Sequence, residues 1–192
     1  FRGQVDRGVF RKMGKGDFGY KGIVNYISMV DTYKSSENST TPLRICMNSS
    51  LKSRGKCLND LLAKGPSALN CQLDVLIRFR GYAKGIALDL TKFYNSVDSV
   101  ERDQHLRRVI WSKIFTKEPD VYLTCKVNFG DRPAGVVVAA ALSQTADMFK
   151  DINPEVALKL KQDTYVDDFL TGDNSHAALD KLEADSRSIV GM

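Results

Sequence analysis

The sequence predicts an α+β fold in which antiparallel strand pairs alternate with packed helices, and three observations carry that expectation. Residues 23–33 and 43–48 are rich in Val, Ile, Tyr and Met and are separated by a polar stretch at 34–41, the pattern of two strands joined by an exposed hairpin loop. Leu69, Leu73, Leu76 and Phe79 recur at i, i+4, i+7 and i+10, the spacing of one helical face. Residues 86–90 and 162–171 are short apolar runs of strand length, each interrupted by acids. Hairpins mixed with helices in this order fit an antiparallel sheet better than a doubly wound parallel one.

Each element follows in turn. Residues 1–22 are rich in Gly, Lys and Arg without steady periodicity, so a loosely held lead-in is expected. After the strand pair comes a basic loop at 52–56, then a helical pattern from Leu58 to the Gly65-Pro66 break. The second helical run should bury its Leu69–Phe79 face. Gly85 then releases the chain into Ile86-Ala87-Leu88-Asp89-Leu90, which reads as a buried strand carrying one costly residue. Residues 108–115 and 121–127 flank Glu118-Pro119-Asp120 and suggest a further hairpin. The stretch 134–149 is apolar and long enough for a buried helix. In 162–171 two apolar arms meet at Asp167-Asp168. Asn174 or Ser175 can cap a last helix with Leu179, Leu182, Ile189 and Val190 on one side. Because that helix reaches the end of the sequence without a C-cap signal, the chain is expected to belong to a longer polyprotein.

The net charge of +5 is unevenly placed. Residues 1–84 hold 15 Lys and Arg against 6 Asp and Glu, and residues 85–192 hold 13 against 17, giving +9 and −4. A basic half suits phosphate and an acidic half suits metal. Cys46, Cys57, Cys71 and Cys125 form no CxxC pair and have no histidine cluster beside them, which argues against zinc and for reduced thiols in an intracellular, cytoplasmic or particle-associated protein. The longest apolar run, 136–142, falls far short of the roughly 20 residues a membrane helix needs, so no membrane partner is expected.

The acids carry the functional reading. Asp167-Asp168 alone would read as an ordinary surface turn, but its apolar arms argue against that, since carboxylates enter apolar surroundings only when paired or bound to metal. Asp89 stands 78 residues earlier on another apolar strand, and two such strands side by side would bring three acids together. Hard oxygen donors without His or Cys favour Mg²⁺, the ion of two-metal phosphoryl transfer.

These residues resemble reverse transcriptases. Tyr165-Val166-Asp167-Asp168 matches that family's tyrosine-x-aspartate-aspartate hairpin, and Asp89-Leu90-Thr91-Lys92-Phe93-Tyr94 matches its first acidic motif. Thr41-Pro42-Leu43-Arg44, then Leu58-Asn59-Asp60-Leu61-Leu62-Ala63-Lys64-Gly65-Pro66, then Arg78-Phe79-Arg80 look like the BEL/Pao class of long-terminal-repeat retrotransposons, in the same linear order. The resemblance implies a fingers subdomain at 1–84 and 98–133 and a palm at 85–97 and 134–192, with thumb and RNase H parts not in this chain. It implies Asp89, Asp167 and Asp168 as the catalytic acids, holding two Mg²⁺ ions (or Mn²⁺) with the Leu90 carbonyl as a further ligand. Arg44 would meet the incoming triphosphate, Tyr94 would lie beneath its sugar, and Phe129 and Gly130 would line the nucleotide. The partners implied are an RNA or DNA template with its primer, and dNTPs. Two departures stand out: Ala134-Gly135 replaces the usual Ser-Pro, and Asn48 stands where an acid is usual.

The expected activity is therefore RNA-directed DNA synthesis. One rival is a catalytically inactive palm-like domain serving as a nucleic-acid or protein scaffold. Another is an RNA-dependent RNA polymerase, although such enzymes typically place glycine before the acids where this chain has Tyr165-Val166.

Overall fold

The computed structural model describes residues 1–33, 43–113 and 118–190, and its internal contacts divide it into two units. The first comprises Phe1–Lys64 and Tyr94–Ala134, the second Gly65–Phe93 and Gly135–Met192. Eight strands are described: β1 (Phe10–Lys12), β2 (Ser28–Tyr33), β3 (Leu43–Asn48), β4 (Lys84–Asp89), β5 (Arg108–Trp111), β6 (Asp120–Thr124), β7 (Thr164–Tyr165) and β8 (Asp168–Asp173). The longer helices among the described residues are α1 (Gln72–Gly81), α2 (Ala134–Phe149), α3 (Pro154–Gln162) and α4 (His176–Val190). Helices and antiparallel sheets together make this an α+β chain, as its pattern predicts.

In the first unit β1, β6 and β5 form an antiparallel sheet in that order, and β2 pairs antiparallel with β3 from Ser28↔Asn48 to Tyr33↔Leu43. The expected loop at 34–41 and the Thr41-Pro42 end of its motif lie outside the described residues, as do the last two residues of the 108–115 run. The unit's core gathers Val9, Phe10, Ile27, Met47, Leu58, Val109 and Tyr122. The lead-in is therefore not loose. Val9 and Phe10 are buried and β1 pairs with β6, while Phe1 stacks on Phe10 at 4.8 Å and on Trp111 at 4.6 Å. A three-residue strand is too short for its alternation to stand out among Gly, Lys and Arg. The basic loop closes as a two-residue turn, Ser53 and Lys56 exchanging backbone hydrogen bonds around Arg54 and Gly55, both at positive φ. Lys52, Arg54 and Lys56 all face solvent.

In the second unit β8 lies between β4 and β7, antiparallel to both. Leu88 and Phe169 are register partners, both buried, and with Ala146, Val156, Ala157, Leu160 and Leu182 they make the core beneath α2, α3 and α4. In α2, Val138, Leu142 and Ala146 recur every four residues as a buried stripe, confirming the expected helix. Ser175 is the N-cap the sequence offered, its hydroxyl accepting from the Ala178 amide. Helix α3 was not anticipated. Asn153 caps it by accepting from the Val156 amide, and Pro154 occupies its first turn, so the Asn-Pro pair was the missed signal.

Helix α1 corrects a second expectation. Leu69 lies before its first residue, Leu73 is 63% exposed, and the helix buries Val75 instead. Two contacts turn it: Arg78 pairs with Asp163, and the Phe79 ring lies where a Cβ on Gly85 would sit at 2.6 Å. Gly85 and Gly172 are register partners, and a Cβ on Gly172 would meet the Lys84 carbonyl at 2.3 Å and Tyr82 at 2.7 Å. Phe79 and Tyr82 thus lie against the Gly85–Gly172 end of the sheet.

Candidate active site

The same alternation decides where the acids go. Leu88 and Phe169 point into the core, so the next register pair, Asp89 and Asp168, must point to the other face. Asp89 is exposed, which corrects the expectation of a buried, costly carboxylate, and Asp168 is exposed as well. Directly opposite residues in an antiparallel pair have Cβ atoms about 4.5–5.5 Å apart, and like charges placed so repel. Asp167 is half-buried in the turn, and its carbonyl accepts the Leu90 amide at 2.8 Å, which ties the tip of the hairpin to the end of β4.

The turn itself is strained. Tyr165 pairs with Asp168, leaving Val166 and Asp167 as a two-residue connection, and Val166 has φ of 57°. That is the first-position geometry of a type II′ hairpin, which normally takes glycine. For a β-branched residue it costs on the order of 1–3 kcal/mol and persists only when the surroundings over-determine it. Lys92, at φ 54°, sits in the turn after Asp89, where the Phe93 amide donates to the Leu90 carbonyl at 3.1 Å. A carbonyl has two lone pairs, so Leu90 keeps one acceptor position.

The donor set is chemically suited to a hard divalent cation. Among the described residues none of the Asp89, Asp167 and Asp168 side chains takes a hydrogen bond or an ion pair, so their oxygens are uncommitted. Among the described residues no group of three or more His, Cys, Asp and Glu side chains is arranged, as the side chains stand, to hold a metal ion.

Two other buried acids escaped the sequence reading. Asp163, 1% exposed, accepts from Arg78 Nε at 3.0 Å and from the Thr171 hydroxyl at 2.8 Å, with the Tyr82 hydroxyl at 3.4 Å. Burial first, and then the Asp163 charge, raises the Tyr82 phenol above its ordinary range. Asp131 in the first unit pairs with Arg107 Nε and accepts from the Ser49 hydroxyl and, at 3.0 Å, from Asn128 Nδ2. Asp131 sits in a polar turn, and Asp163 stands at the polar start of the 162–171 run beside Gln162, so neither is flanked by apolar residues on both sides.

The nucleotide residues expected from the resemblance lie in the first unit. Phe129 is half exposed and meets the half-buried Tyr94 ring edge-on at 6.3 Å. Asn128 bonds the Gly130 amide, and a Cβ on Gly130 would stand 2.5 Å from the Met47 carbonyl, so only glycine fits this close approach to β3. Arg44 is exposed on that same strand. The acids, Leu90, Tyr165 and Val166 are thus gathered in the second unit, and Tyr94, Phe129, Gly130 and Arg44 in the first.

Neither a known family model nor a curated protein matches the chain. Among the described residues no helix is long and apolar enough to cross a membrane.

Proposed function

We propose that this chain is the fingers-and-palm part of an RNA-directed DNA polymerase of the BEL/Pao-like kind, adding dNTPs to a primer 3′-hydroxyl. One observation carries the reading: Asp89 and Asp168 are opposed in register while Asp167 is bound through its backbone to Leu90 in a strained turn. Strain of this kind gathers at functional sites, and three uncommitted acids stand at one end of the sheet, where a cation would offset their charge once their side chains turned to meet it.

In this reading Asp89, Asp167 and Asp168, with the Leu90 carbonyl, are the groups that would hold two Mg²⁺ ions. Such ions supply Lewis acidity towards a hydroxyl nucleophile and a transferring phosphoryl group. The protein's own task is positioning. Cross-strand pairing fixes Asp89 against Asp168, and the Leu90–Asp167 hydrogen bond fixes the turn relative to β4. Arg44, in the expected fingers, suits a triphosphate through its planar donor fork, and Phe129 and Tyr94 suit the sugar. The exposed cations Lys52, Arg54 and Lys56 suit a template backbone, which would make binding strongly salt-dependent and indifferent to template sequence.

The test is primer extension on an RNA template, with Mg²⁺ and with excess chelator. Extension by dNTPs that stops with chelator is expected. Template binding without extension would instead establish the scaffold reading, and preference for NTPs an RNA polymerase.

A further inference from the structure

The carboxylate most deeply buried in the second unit is not one of the three catalytic candidates but Asp163, two residues before Tyr165. It is the joint of the hairpin. Its amide closes α3 on the Lys159 carbonyl at 2.7 Å, and its own carbonyl accepts the Leu170 amide at 2.9 Å. Its two carboxylate oxygens are divided: Oδ1 takes Arg78 Nε from α1, and Oδ2 takes the Thr171 hydroxyl from β8, with Tyr82 close by. Arg78 also donates to the Gln162 carbonyl. One side chain therefore joins the helix before β7, the second hairpin arm and α1.

A buried ion pair adds little net stability, because desolvation offsets the attraction, but it fixes geometry through directional bonds. The geometry needing to be fixed lies at the tip, where Val166 holds a conformation that β-branched residues avoid. A second clamp grips the same arm: Asn70 Nδ2 donates to the Lys161 and Thr164 carbonyls, both at 2.8 Å. Held at both arms, the turn cannot relax by twisting its base.

We infer that Asp163 is a positioning residue: bridging Arg78 and Thr171, it sets the hairpin so that the Asp167 carbonyl meets the Leu90 amide and Asp168 stands opposite Asp89. Its effect on synthesis rests on the polymerase reading; its effect on the hairpin does not.

The experiment uses Asp163→Asn in the whole chain. The amide has one acceptor oxygen where the carboxylate has two, so the charge is lost and Arg78 and Thr171 can no longer both donate to acceptor oxygens. Two readouts are taken together. Hydrogen exchange at the Leu90 and Leu170 amides should accelerate, while first-unit amides such as Leu123 stay protected. Primer extension should show kcat down by roughly 10- to 100-fold with the dNTP KM nearly unchanged, the mark of misplaced rather than missing groups. If wild type makes no DNA but exchange at Leu90 responds, the polymerase reading fails and the positioning role stands. A folded Asp163→Asn chain with wild-type exchange at both amides overturns the positioning role. Should that variant not fold, Thr171→Val and Arg78→Met each remove one donor, and unaltered Leu90 exchange in both overturns it equally.

Discussion

Among the described residues each unit pairs an arginine with a buried aspartate, Arg107 with Asp131 and Arg78 with Asp163, and the two pairs are used differently. In the first unit Asp131 belongs to the turn after Asn128 and spends its carboxylate on Arg107, Ser49 and Asn128, so the acid itself holds the loop that presents Phe129. In the second unit Asp163 lies at the base of the hairpin and takes up the arginine there, while Asp167 and Asp168 at the tip meet no donor among the described residues. The contrast separates acids that organise backbone from acids left with open coordination. Sequence alone lists them together as aspartates near apolar runs. Only the register of β4 against β8 shows which ones face outwards unpaired.

The largest effect should come from an open acid. Asp89→Asn is expected to drop primer extension to background, because a neutral amide is a poor ligand for a hard cation. Its thermal midpoint without metal should hold or rise, since the repulsion across the register pair is relieved. Wild-type extension in a folded variant would remove Asp89 from the site, and a large loss of stability would reclassify it with the organising acids.

Next come the organising pairs. Arg107→Met leaves Asp131, whose side chain is 1% exposed, with an unpaired buried charge, and about 3–5 kcal/mol of unfolding free energy should be lost. The matching Arg78→Met should cost less, about 1–3 kcal/mol. Arg78 is 36% exposed, so water can reach part of its place, whereas Arg107 is 9% exposed. Denaturant titration of both variants gives the order, and equal costs would mean that the two pairs do the same work.

The fold's legibility followed the length of each pattern. The strand at 43–48, the long apolar helix at 134–149 and the capped last helix each carry enough periodic residues to be read, and the structure has all three. Helix α1 was read with the wrong face, because its orientation is set by the Arg78–Asp163 pair, 85 residues apart in sequence. The short β1 gave no period at all. The acids of the candidate site were legible as residues. Their exposure was not, because strand alternation fixes a face only once the core partner, here Leu88 opposite Phe169, is known.

A smaller effect should appear at the hairpin tip. Val166→Gly relieves the positive-φ strain but adds unfolded-chain entropy, two terms of about 1 kcal/mol and opposite sign. Stability should therefore stay level or rise slightly by thermal melt. If the rigid turn places Asp167, extension should slow even though the fold is no weaker. Unchanged extension would show that the arms alone place the acids.

The smallest expected effect sharpens the comparison from a third arginine, one whose partner is neutral. Arg108 donates to His105 Nδ1 at 2.8 Å from Nη2, and the imidazole is buried and stacked on Tyr20 at 3.8 Å. Arginine has only donors, so the facing nitrogen must carry no proton. Burial first, then the Arg108 charge, with Arg11 adding to it, pulls the imidazole below its ordinary value, while Asp17 and Glu101 pull the other way without prevailing. The sign follows from linkage. The unfolded chain takes up a proton on this histidine at a higher pH than the folded chain does, so folding is favoured above about 6.5 and loses this contribution as pH falls below that value. His105→Gln keeps an acceptor for Arg108 and cannot titrate in this range. Urea unfolding of the wild type at a series of pH values between neutral and mildly acidic should therefore show stability falling towards the acid end, with a shallower fall in His105→Gln. Parallel curves would mean that water reaches the ring and that the Arg108 contact does not set its protonation. A steeper fall in the variant would mean that Asp17 and Glu101 prevail and that the folded chain holds a proton on His105 more tightly than the unfolded chain does.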